Sequence, residues 1–417
     1  MIRTLSALAL SLALPLAASA GPFGVSATGG KTDQTNVVVR FPVPKGDPVA
    51  YNTVELSSGA TVPVQVTAAA QTDDPEVKQY LVFVIPKLKA GETLTGKFGT
   101  RNYFAPPPAF KFEEKPGEPT ELVYGQRDKQ RKVLQYFNLP RDPKDHYYTF
   151  KPFHNVYDPA KGEVMLTNTS AKTAKDGQFP HHRGLFFGFN KASYGGKQDA
   201  DVWHGTNNVF SQSDKTLATE AAEVLGRQRS AISWHGKDGA AFANEEREVA
   251  AYAVSGGTLI DWSTVVTTKL EKVRLDGDPQ HAGFHFRANM EVSKTNKETY
   301  YLRPDGKGKP GETRNWEPKG KDPKTVNLPW NACSFLVGGK RYTVVRVNHP
   351  DNPKETRGSE RDYGRFGDYF EYDLTPTTPL KLKYRVWVQE GEMTVEQCAA
   401  MAEAFVTPPA TKAVAPK

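Results

Sequence analysis

Short apolar segments with strict alternation recur along this chain and constrain its fold more than any other feature. Three lie near the start, VVVRFPV (37–43), TVPVQVT (61–67) and YLVFVIP (80–86), and Gly, Pro, Ser and Asp separate them. Because successive strand residues face opposite sides of a sheet, this period of two predicts β-strands. Helical patterns of ten residues do not occur between them. The sequence therefore predicts antiparallel sheets rather than βαβ units.

A second and longer series of strand-like segments follows residue 120. They are EVMLTN (163–168), RGLFFGF (183–189), SAISWHG (230–236), TLIDWSTVVTT (258–268), HAGFHFRANM (281–290), ACSFLVGG (332–339), RYTVVRV (341–347), DYFEYDL (368–374) and KLKYRVWVQ (381–389). One helix is predicted after Thr394, because Thr394 and Gln397 form a capping-box pattern. We predict an all-β fold: a large antiparallel β-sandwich, a small N-terminal β-sandwich domain and one C-terminal helix.

The segment boundaries follow from composition. Arg3, an apolar stretch and Ala18-Ser19-Ala20 are typical of a secretory signal peptide, although a membrane anchor is the alternative. The predicted segments are a signal peptide at 1–20, the small domain at 21–105, a Pro-rich linker at 106–120, the large domain at 121–405 and a disordered tail at 406–417. We expect an exported protein of the periplasm or extracellular space.

Charge and cysteine content narrow the classes of partner. The formal net charge of +7 is small for 417 residues and does not indicate nucleic-acid binding. After the signal peptide no window is apolar enough to predict a membrane span. Cys333 and Cys398 could form a disulfide or remain buried thiols. Neither has a CxxC partner, so a cysteine metal site is not expected.

The segment QFPHHRGLFFGF (178–189) places two imidazoles and a guanidinium before an apolar run. Imidazole changes charge near neutral pH, and histidines suit proton transfer or metal binding. Aromatic and charged residues in other short polar segments complete the predicted site. The residues selected as catalytic are His154, His181, His182, Arg183, His285, Arg287, His349 and Tyr363, and those selected as substrate-binding are Trp203, His204, Trp330, Arg361 and Asp362.

Spacing argues against a metal site. The chain has no HxH and no HExxH pattern, and His281 and His285 would be ~13 Å apart along an extended strand. We therefore predict no cofactor, with a divalent metal as the alternative. If the backbone is extended, His181 and His182 face opposite sides, and Arg183 shares the side of His181. Of the two histidines, His182 is the one expected to face the substrate.

Several motifs together carry a family resemblance. KPFHNVYDP (151–159), FPHHRGLFFGF (179–189), DVWHG (201–205), HAGFHFRAN (281–289) and the long segment at 327–374 resemble the PmoA-like family of exported bacterial proteins. The resemblance covers residues 120–405 and implies a large β-sandwich akin to that of sugar mutarotases and polysaccharide lyases. Many members carry the label "methane oxygenase PmoA". The absence of a predicted span argues against a membrane methane monooxygenase subunit.

The family resemblance and the histidines together predict an enzyme acting on carbohydrate. We expect epimerase- or lyase-type proton transfer on a sugar or uronic acid, with an oligosaccharide or polysaccharide as ligand. In this prediction His182 or His154 moves the proton, and Arg183 or Arg287 holds an anionic group. The alternative is a non-catalytic glycan-binding or envelope-associated module. Many PmoA-like members have Lys-Glu before the glycine where this chain has His281-Ala282, so a role for that glutamate does not transfer.

Overall fold

A computed structural model describes residues 23–44, 50–127, 129–316 and 321–414. The predicted signal peptide lies outside these ranges. The described residues fold mainly into antiparallel strands, which confirms the all-β prediction. In the part of the chain described, the helices are too short to carry an apolar segment across a bilayer.

The first strands follow the alternating segments of the sequence. They are β1 (Gly24–Thr28), β2 (Gln34–Pro42), β3 (Thr53–Leu56), β4 (Thr61–Ala68), β5 (Gln79–Leu88) and β6 (Thr93–Gly99). Together with the last strand of the chain they form a seven-stranded sheet around its own apolar core. β5 is apolar on both faces because Leu81 and Phe83 enter this core, whereas Tyr80 and Val82 pack against the large domain.

The remaining strands belong to the large domain, except β28, which is part of the N-terminal sheet, and two α-helices of the described residues also lie in the large domain. The strands are β7 (Ala109–Glu113), β8 (Thr120–Gln126), β9 (Lys129–Phe137), β10 (Phe153–Val156), β11 (Leu185–Phe189), β12 (Lys191–Tyr194), β13 (Gln198–Ala200), β14 (Phe210–Ala221), β15 (Leu225–His235), β16 (Ala241–Tyr252), β17 (Thr258–Thr267), β18 (Val273–Asp276), β19 (Ala282–Arg287), β20 (Tyr300–Arg303), β21 (Gly306–Lys307), β22 (Trp330–Val337), β23 (Lys340–Asn348), β24 (Arg357–Arg361), β25 (Arg365–Tyr369), β26 (Tyr372–Leu374), β27 (Leu380–Glu390) and β28 (Ala410–Val414). The helices are α1 (His146–Thr149) and α2 (Val395–Val406), with 3-10 turns at Pro143–Asp145, Thr206–Asn208, Met290–Lys294, Asn296–Glu298 and Pro323–Thr325.

Two large sheets form the sandwich. One has eight strands in the order β24-β25-β19-β11-β10-β9-β8-β7, and the other has nine in the order β14-β15-β16-β17-β27-β23-β22-β20-β21. Their facing side chains form the largest core, in which Trp262 lies 5.7 Å from Phe187 and 4.5 Å from Phe284 between ring centroids. Each such fully buried side chain stabilises the fold by about 1.5–3 kcal/mol. A small sheet, β13-β12-β18-β26, extends this architecture.

The other face of the nine-stranded sheet is covered by α2 and the N-terminal sheet. The predicted capping box is present: the Gln397 amide donates to Thr394 Oγ1 over 3.2 Å, and the Thr394 amide donates to Gln397 Oε1 over 2.9 Å. Cys398 lies on the buried side of this helix, whereas Cys333 lies in the sandwich core. Both cysteines are free, which decides between the two alternatives left open by the sequence.

Two boundaries differ from the sequence prediction. The predicted disordered tail contains β28, which pairs along its whole length with β1. The predicted linker contains β7, which pairs with β8. In both places the unpaired backbone groups of an edge strand are satisfied by a further strand, and this gain does not depend on side-chain pattern. The polar, proline-rich composition of these segments therefore concealed their strands.

Strand alternation sends one set of side chains to the outer face of the eight-stranded sheet. Phe186 pairs with His285 across β11 and β19, and Arg287 pairs with Arg365 across β19 and β25. These residues point away from the sandwich core, because Leu185, Phe284 and their other neighbours in sequence point into it. Loops cover this outer face, and the candidate site forms where they meet.

Candidate functional site

Four histidines from three loops meet on the outer face of the eight-stranded sheet. His181 and His182 precede β11, His204 follows β13, and His281 precedes β19. The ring of His181 lies 4.2 Å from that of His182 and 4.5 Å from that of His204, measured between centroids. The rings of His204 and His281 are 4.9 Å apart. We call these four residues the histidine cluster.

A turn, not a strand, brings His181 and His182 to the same side. The His182 amide donates to the carbonyl of Phe179 over 3.0 Å, and Phe179 has a φ of 53°. Gly184 then has a φ of 55°, and a Cβ there would lie 2.1 Å from the carbonyl oxygen of His154. The expectation of opposite faces applied to an extended backbone and is wrong for this turn. Both imidazoles enter the cluster.

Arg183 has a different position from the one predicted. It is fully buried, its Nε donates to the Pro180 carbonyl over 3.3 Å, and its Nη1 donates to the Tyr148 carbonyl over 3.3 Å. Its guanidinium lies 4.4 Å from the ring centre of Phe150. Burial lowers the pKa of Arg183 to about 9. These backbone contacts hold the turn in place and leave Arg183 unsuited to contact a substrate.

Two of the histidines are held by carboxylates through the same local motif. His204 Nδ1 donates to Asp201 Oδ2 over 2.9 Å, and His281 Nδ1 donates to Asp278 Oδ1 over 2.9 Å. Burial opposes ionisation of Asp278, but the hydrogen bond and charge of His281 prevail and lower its pKa. A carboxylate that fixes the proton on Nδ1 leaves Nε2 as the free lone pair. Asp201 and Asp278 therefore orient these two rings.

The ligand atoms of three histidines converge. One nitrogen from each of His181, His182 and His281 lies within 4.8 Å of the other two. His181 Nε2 and both ring nitrogens of His182 are buried and have no hydrogen-bond partner. Buried polar atoms without partners are uncommon in folded proteins and call for an explanation. Among the described residues, these three could hold a metal ion together.

Burial keeps the inner pair of imidazoles neutral. It lowers the pKa of His181 to about 2, with the neighbouring charges of His204 and Lys151 acting in the same direction. It also lowers the pKa of His182 well below its ordinary value, as do His181 and Arg365. A neutral imidazole has a lone pair to offer but no proton to give as a general acid near neutral pH.

The floor beneath the cluster is aromatic and cationic. Trp203 is fully buried, and its ring lies 5.7 Å from that of His182 and 4.9 Å from that of His285. Lys151 donates through Nζ to the Trp203 carbonyl over 2.7 Å, and burial lowers its pKa well below the ordinary value. His285 Nε2 donates to the Ala282 carbonyl over 2.9 Å, and His285 Nδ1 accepts from Arg365 Nη1 over 3.1 Å. Trp203 and His285, both predicted site residues, thus support the cluster from below.

The side of the cluster is formed by Arg287, Arg365, Tyr363 and Phe179. The Arg287 guanidinium lies 4.6 Å from the ring centre of Tyr363, which in turn lies 6.4 Å from that of His182. Burial lowers the pKa of Arg287 to about 10. The Phe179 ring is 5.2 Å from Tyr363 and 44% exposed. Phe179 therefore forms an apolar rim at the entrance to the cluster.

The structure does not bring three other predicted residues to this place. His154 points into the sandwich core, where it stacks on Tyr136 at 4.4 Å. His349 lies against Phe405 of α2, with its ring 5.4 Å away. Trp330 is 4% exposed and belongs to the core under α2. Sheet register decides which face a strand residue takes, and the sequence does not contain that register.

Arg361, the last residue of β24, lies two residues before Tyr363, and Asp362 lies one residue before it in the turn to β25. Asp362 accepts a hydrogen bond from Asn296 Nδ2 over 2.7 Å, and the Arg361 carbonyl accepts one from the Tyr301 hydroxyl over 2.7 Å. These contacts hold the turn that presents Tyr363. Their predicted role in substrate binding stays a prediction.

Sequence reasoning missed His281 and both orienting carboxylates. His281 was compared only with His285 along one strand, although it lies in the loop before that strand. A signal was present: Asp201-Val-Trp-His204 and Asp278-Pro-Gln-His281 share the spacing Asp-x-x-His. In each, the carboxylate reaches Nδ1 of the histidine three residues later. Two of the nine histidines therefore carry the same Asp-x-x-His spacing, and this repeated spacing could have indicated the histidine cluster from the sequence.

Residues 126–403 match a family described as a family of unknown function, DUF6807. The chain belongs to the DUF6807 family. The DUF6807 region contains the whole histidine cluster and both orienting aspartates, whereas β1–β6 of the N-terminal sheet precede it and β28 follows it. It covers nearly the same residues as the predicted large domain. The PmoA-like resemblance and the predicted export stay predictions.

No curated protein matches the chain. Among solved structures, an α-mannosidase from Enterococcus faecalis V583 is similar at 10% identity and a TM-score of 0.38, covering 94% of this chain and 46% of that one. A glycosyl hydrolase family 38 protein from Enterococcus faecalis is similar at 10% identity and a TM-score of 0.39, covering 94% of this chain and 47% of that one. A galactose mutarotase-like protein from Clostridium acetobutylicum is similar at 11% identity and a TM-score of 0.34, covering 68% of this chain and 98% of that one. This DUF6807 chain spans less than half the length of the first two.

Proposed function

We propose that this protein is an exported carbohydrate-active enzyme that moves a proton at a sugar carbon, as an epimerase or lyase does. The histidine cluster is its working site, and His204 is the proton carrier. The observation that carries the proposal is the Asp201–His204 pair, in which a carboxylate fixes one ring nitrogen over 2.9 Å and leaves the other free. A base oriented by a third group is the recurring arrangement of acid–base catalysis.

His204 suits this role better than the residues that the sequence favoured. Its side chain is 26% exposed, so its free nitrogen can meet a ligand. His182 is almost completely buried and has a strongly lowered pKa, which makes it a poor proton donor. The proposal therefore moves proton transfer from His182 to His204 and gives His182 a binding role.

The chemistry needs a place for negative charge. When the C–H bond next to a carbonyl or carboxylate breaks, the proton passes to His204 Nε2 and the electron pair moves onto the carbonyl-type oxygen. A proton delivered from water to the other face gives the epimer, whereas transfer of the proton from the His204 imidazolium to the departing oxygen on the neighbouring carbon gives the lyase product. Lys151, Arg287 and Arg365 are buried basic groups around the cluster. Their hydrogen bonds among the described residues go to carbonyls, Met290, His285 and Ser359, and none goes to a carboxylate. Their field favours such an oxyanion.

The entrance supports a sugar ligand. Phe179 exposes its ring beside Tyr363, and apolar ring faces pack against the C–H faces of sugars by burial of apolar surface. Phe179 holds this position with a φ of 53°, a conformation that non-glycine residues seldom adopt and that clusters at functional sites.

Proton exchange with solvent tests the proposal directly. The purified protein is incubated in D2O with a panel of neutral and uronic-acid oligosaccharides, and NMR follows deuterium entering a ring carbon or the appearance of an unsaturated product. We expect exchange with at least one acidic sugar. His204→Gln should slow it by about 100-fold or more, the usual size of an acid–base contribution. His349→Gln is the matched control and should not change the rate.

Two results would count against the proposal. Sugar binding without exchange or cleavage by the wild-type protein would favour the glycan-binding alternative. Equal exchange rates in the wild-type protein and His204→Gln would remove His204 from the chemistry. Asp201→Asn separates orientation from proton transfer: we expect a slower rate with little change in KM, since the carboxylate acts only through His204.

A further inference from the structure

We propose that His181, His182 and His281 bind one divalent transition-metal ion at the centre of the cluster. This site rests on a different set of nitrogens from the Asp201–His204 pair, and it deepens the proposed function by placing an ion beside the proton carrier. Its binding test, in contrast, does not depend on that function.

The first argument is distance. The three ligand nitrogens already lie within 4.8 Å of one another without an ion. In a tetrahedral zinc site with Zn–N bonds of about 2.0–2.1 Å, the nitrogens are on the order of 3.4 Å apart. Side-chain movements of less than about 1 Å would close the site. Three protein ligands leave one position open for water or substrate, as in catalytic rather than structural sites.

The second argument is unmet hydrogen bonding. His181 Nε2 and both nitrogens of His182 are buried without a partner, although leaving a buried polar group unpaired costs about 1–3 kcal/mol. Neighbouring rings do not provide a substitute, because the faces that surround His182 belong to Phe179, Phe186 and Trp203. A metal ion would engage one lone pair from each of the two rings, and the second nitrogen of His182 would keep its proton.

The third argument is the support around His281. Its Nδ1 donates to Asp278, which also accepts from Asn190 Nδ2 over 2.8 Å and from the backbone amide of Gln280 over 2.9 Å. A histidine ligand that donates its other nitrogen to a hydrogen-bonded carboxylate is the usual outer shell of a protein metal site. His281 is therefore oriented toward His181 and His182 from a fixed loop.

The ligand set selects the class of ion. Imidazole nitrogens suit zinc, copper, nickel and iron, whereas magnesium and calcium require oxygen ligands. Positive charge on Lys151, Arg287 and Arg365 opposes any cation in this region, so the affinity of the site has to come from the imidazole–metal bonds themselves. When bound, such an ion would polarise a sugar oxygen next to His204.

Calorimetry tests the site with Zn²⁺ alone. The full-length protein is freed of metal with a chelator and titrated with Zn²⁺, with Mg²⁺ as the control ion. We expect one Zn²⁺ per chain and no Mg²⁺ binding. His281→Ala should weaken Zn²⁺ binding by about 100-fold or more, and Asp278→Asn by about 10–100-fold. His349→Ala removes a histidine outside the cluster and should bind as the wild type does.

His281 is the preferred variant because its side chain is 30% exposed, so its removal leaves the core intact. Circular dichroism confirms that the variant is folded. Visible absorption of the Co²⁺-loaded protein gives a second readout, and its bands should change in His182→Gln and not in His349→Ala.

No stoichiometric Zn²⁺ binding by the wild type, or equal affinity in His281→Ala and His349→Ala, would overturn the site. The two proposals fail separately. Zn²⁺ binding without proton exchange on any sugar removes the proposed function and leaves the metal site. Exchange that is equal in metal-free and Zn²⁺-loaded protein removes the ion from that chemistry.

Discussion

Two buried polar clusters lie on opposite faces of strand β25, and they differ in whether their polar groups have partners within the chain. On its inner face, Asp368 forms an ion pair with Arg346 and accepts a hydrogen bond from Asn348 over 2.8 Å. Nearby, Arg303 donates to Glu360 over 2.9 Å. We call this group the paired cluster. On the outer face of the same sheet lies the histidine cluster, whose inner nitrogens have no partner.

This difference helps to distinguish buried polar groups that stabilise the fold from those that bind a ligand. In the paired cluster each charge meets an opposite charge, so its groups need nothing from outside the chain. In the histidine cluster neutral imidazoles meet one another and the cations Lys151, Arg287 and Arg365. A cluster that its own chain leaves unsatisfied is suited to a ligand. Substitutions in the two clusters should therefore have opposite consequences.

Breaking the paired cluster should have the largest effect on stability. Glu360→Ala removes the buried carboxylate partner of Arg303 and leaves it only a 3.7 Å contact with the exposed Glu312, and breaking a buried ion pair in this way costs about 3–5 kcal/mol. Urea denaturation measures the free energy of unfolding. A loss of unfolding free energy below about 1 kcal/mol would mean that the paired cluster contributes little to stability, which would contradict its assignment as a structural cluster.

Buried neutral histidines should make the fold sensitive to acid. Burial, and after it the charge of Arg247, lowers the pKa of His154 well below its ordinary value, whereas in the unfolded chain it is near 6.5. Below that pH the unfolded state binds more protons. Stability is therefore full above about pH 6.5 and falls as the pH drops, by at most about 1.4 kcal/mol per pH unit for this imidazole.

The variant His154→Gln checks this dependence. The unfolding free energy of the wild type and the variant is measured by urea denaturation from pH 7.5 to 5. The unfolding free energy of the variant should fall less steeply as the pH drops, because one titrating group has been removed. Identical slopes would contradict the assignment of His154 as a neutral core residue.

Opening the histidine cluster should have the smallest effect on stability. His281→Ala removes a half-buried ring whose hydrogen bond to Asp278 lies near the surface. We expect a change in unfolding free energy of less than about 1 kcal/mol, together with the loss of Zn²⁺ affinity described above. A loss of 3 kcal/mol or more would place this histidine with the structural residues and remove the contrast between the clusters.

Much of the fold could be predicted from the sequence. Alternation is a local property, and it indicated many strands of both domains, such as β2, β5, β17 and β23, whereas the capping-box pattern indicated the helix after Thr394. The long strands β14 and β16 were not predicted, and the predicted strand at 163–168 forms only isolated bridges. β7 and β28 were missed because edge pairing is decided by backbone hydrogen bonds that composition does not report. The sandwich was therefore predictable, but its boundaries were not.

The site was predictable only where its geometry is local. His181, His182 and His204 lie in motifs that stood out, and the repeated Asp-x-x-His spacing of Asp201 and Asp278 was readable as well. His154 and His349 had equally suggestive neighbours in sequence. His154 lies elsewhere because the register of β10 turns it to the inner face, and register comes from the whole sheet. His349 lies elsewhere because it follows β23, which belongs to the other large sheet.

The most direct test of the central claim is anomalous diffraction. Crystals of the full-length protein grown with Zn²⁺ are measured on both sides of the zinc absorption edge. The account predicts one strong anomalous peak, about 2.0–2.1 Å from a ring nitrogen of each of His181, His182 and His281. Ordered imidazoles in the cluster with no peak between them, or a peak only at histidines outside it, would contradict the account.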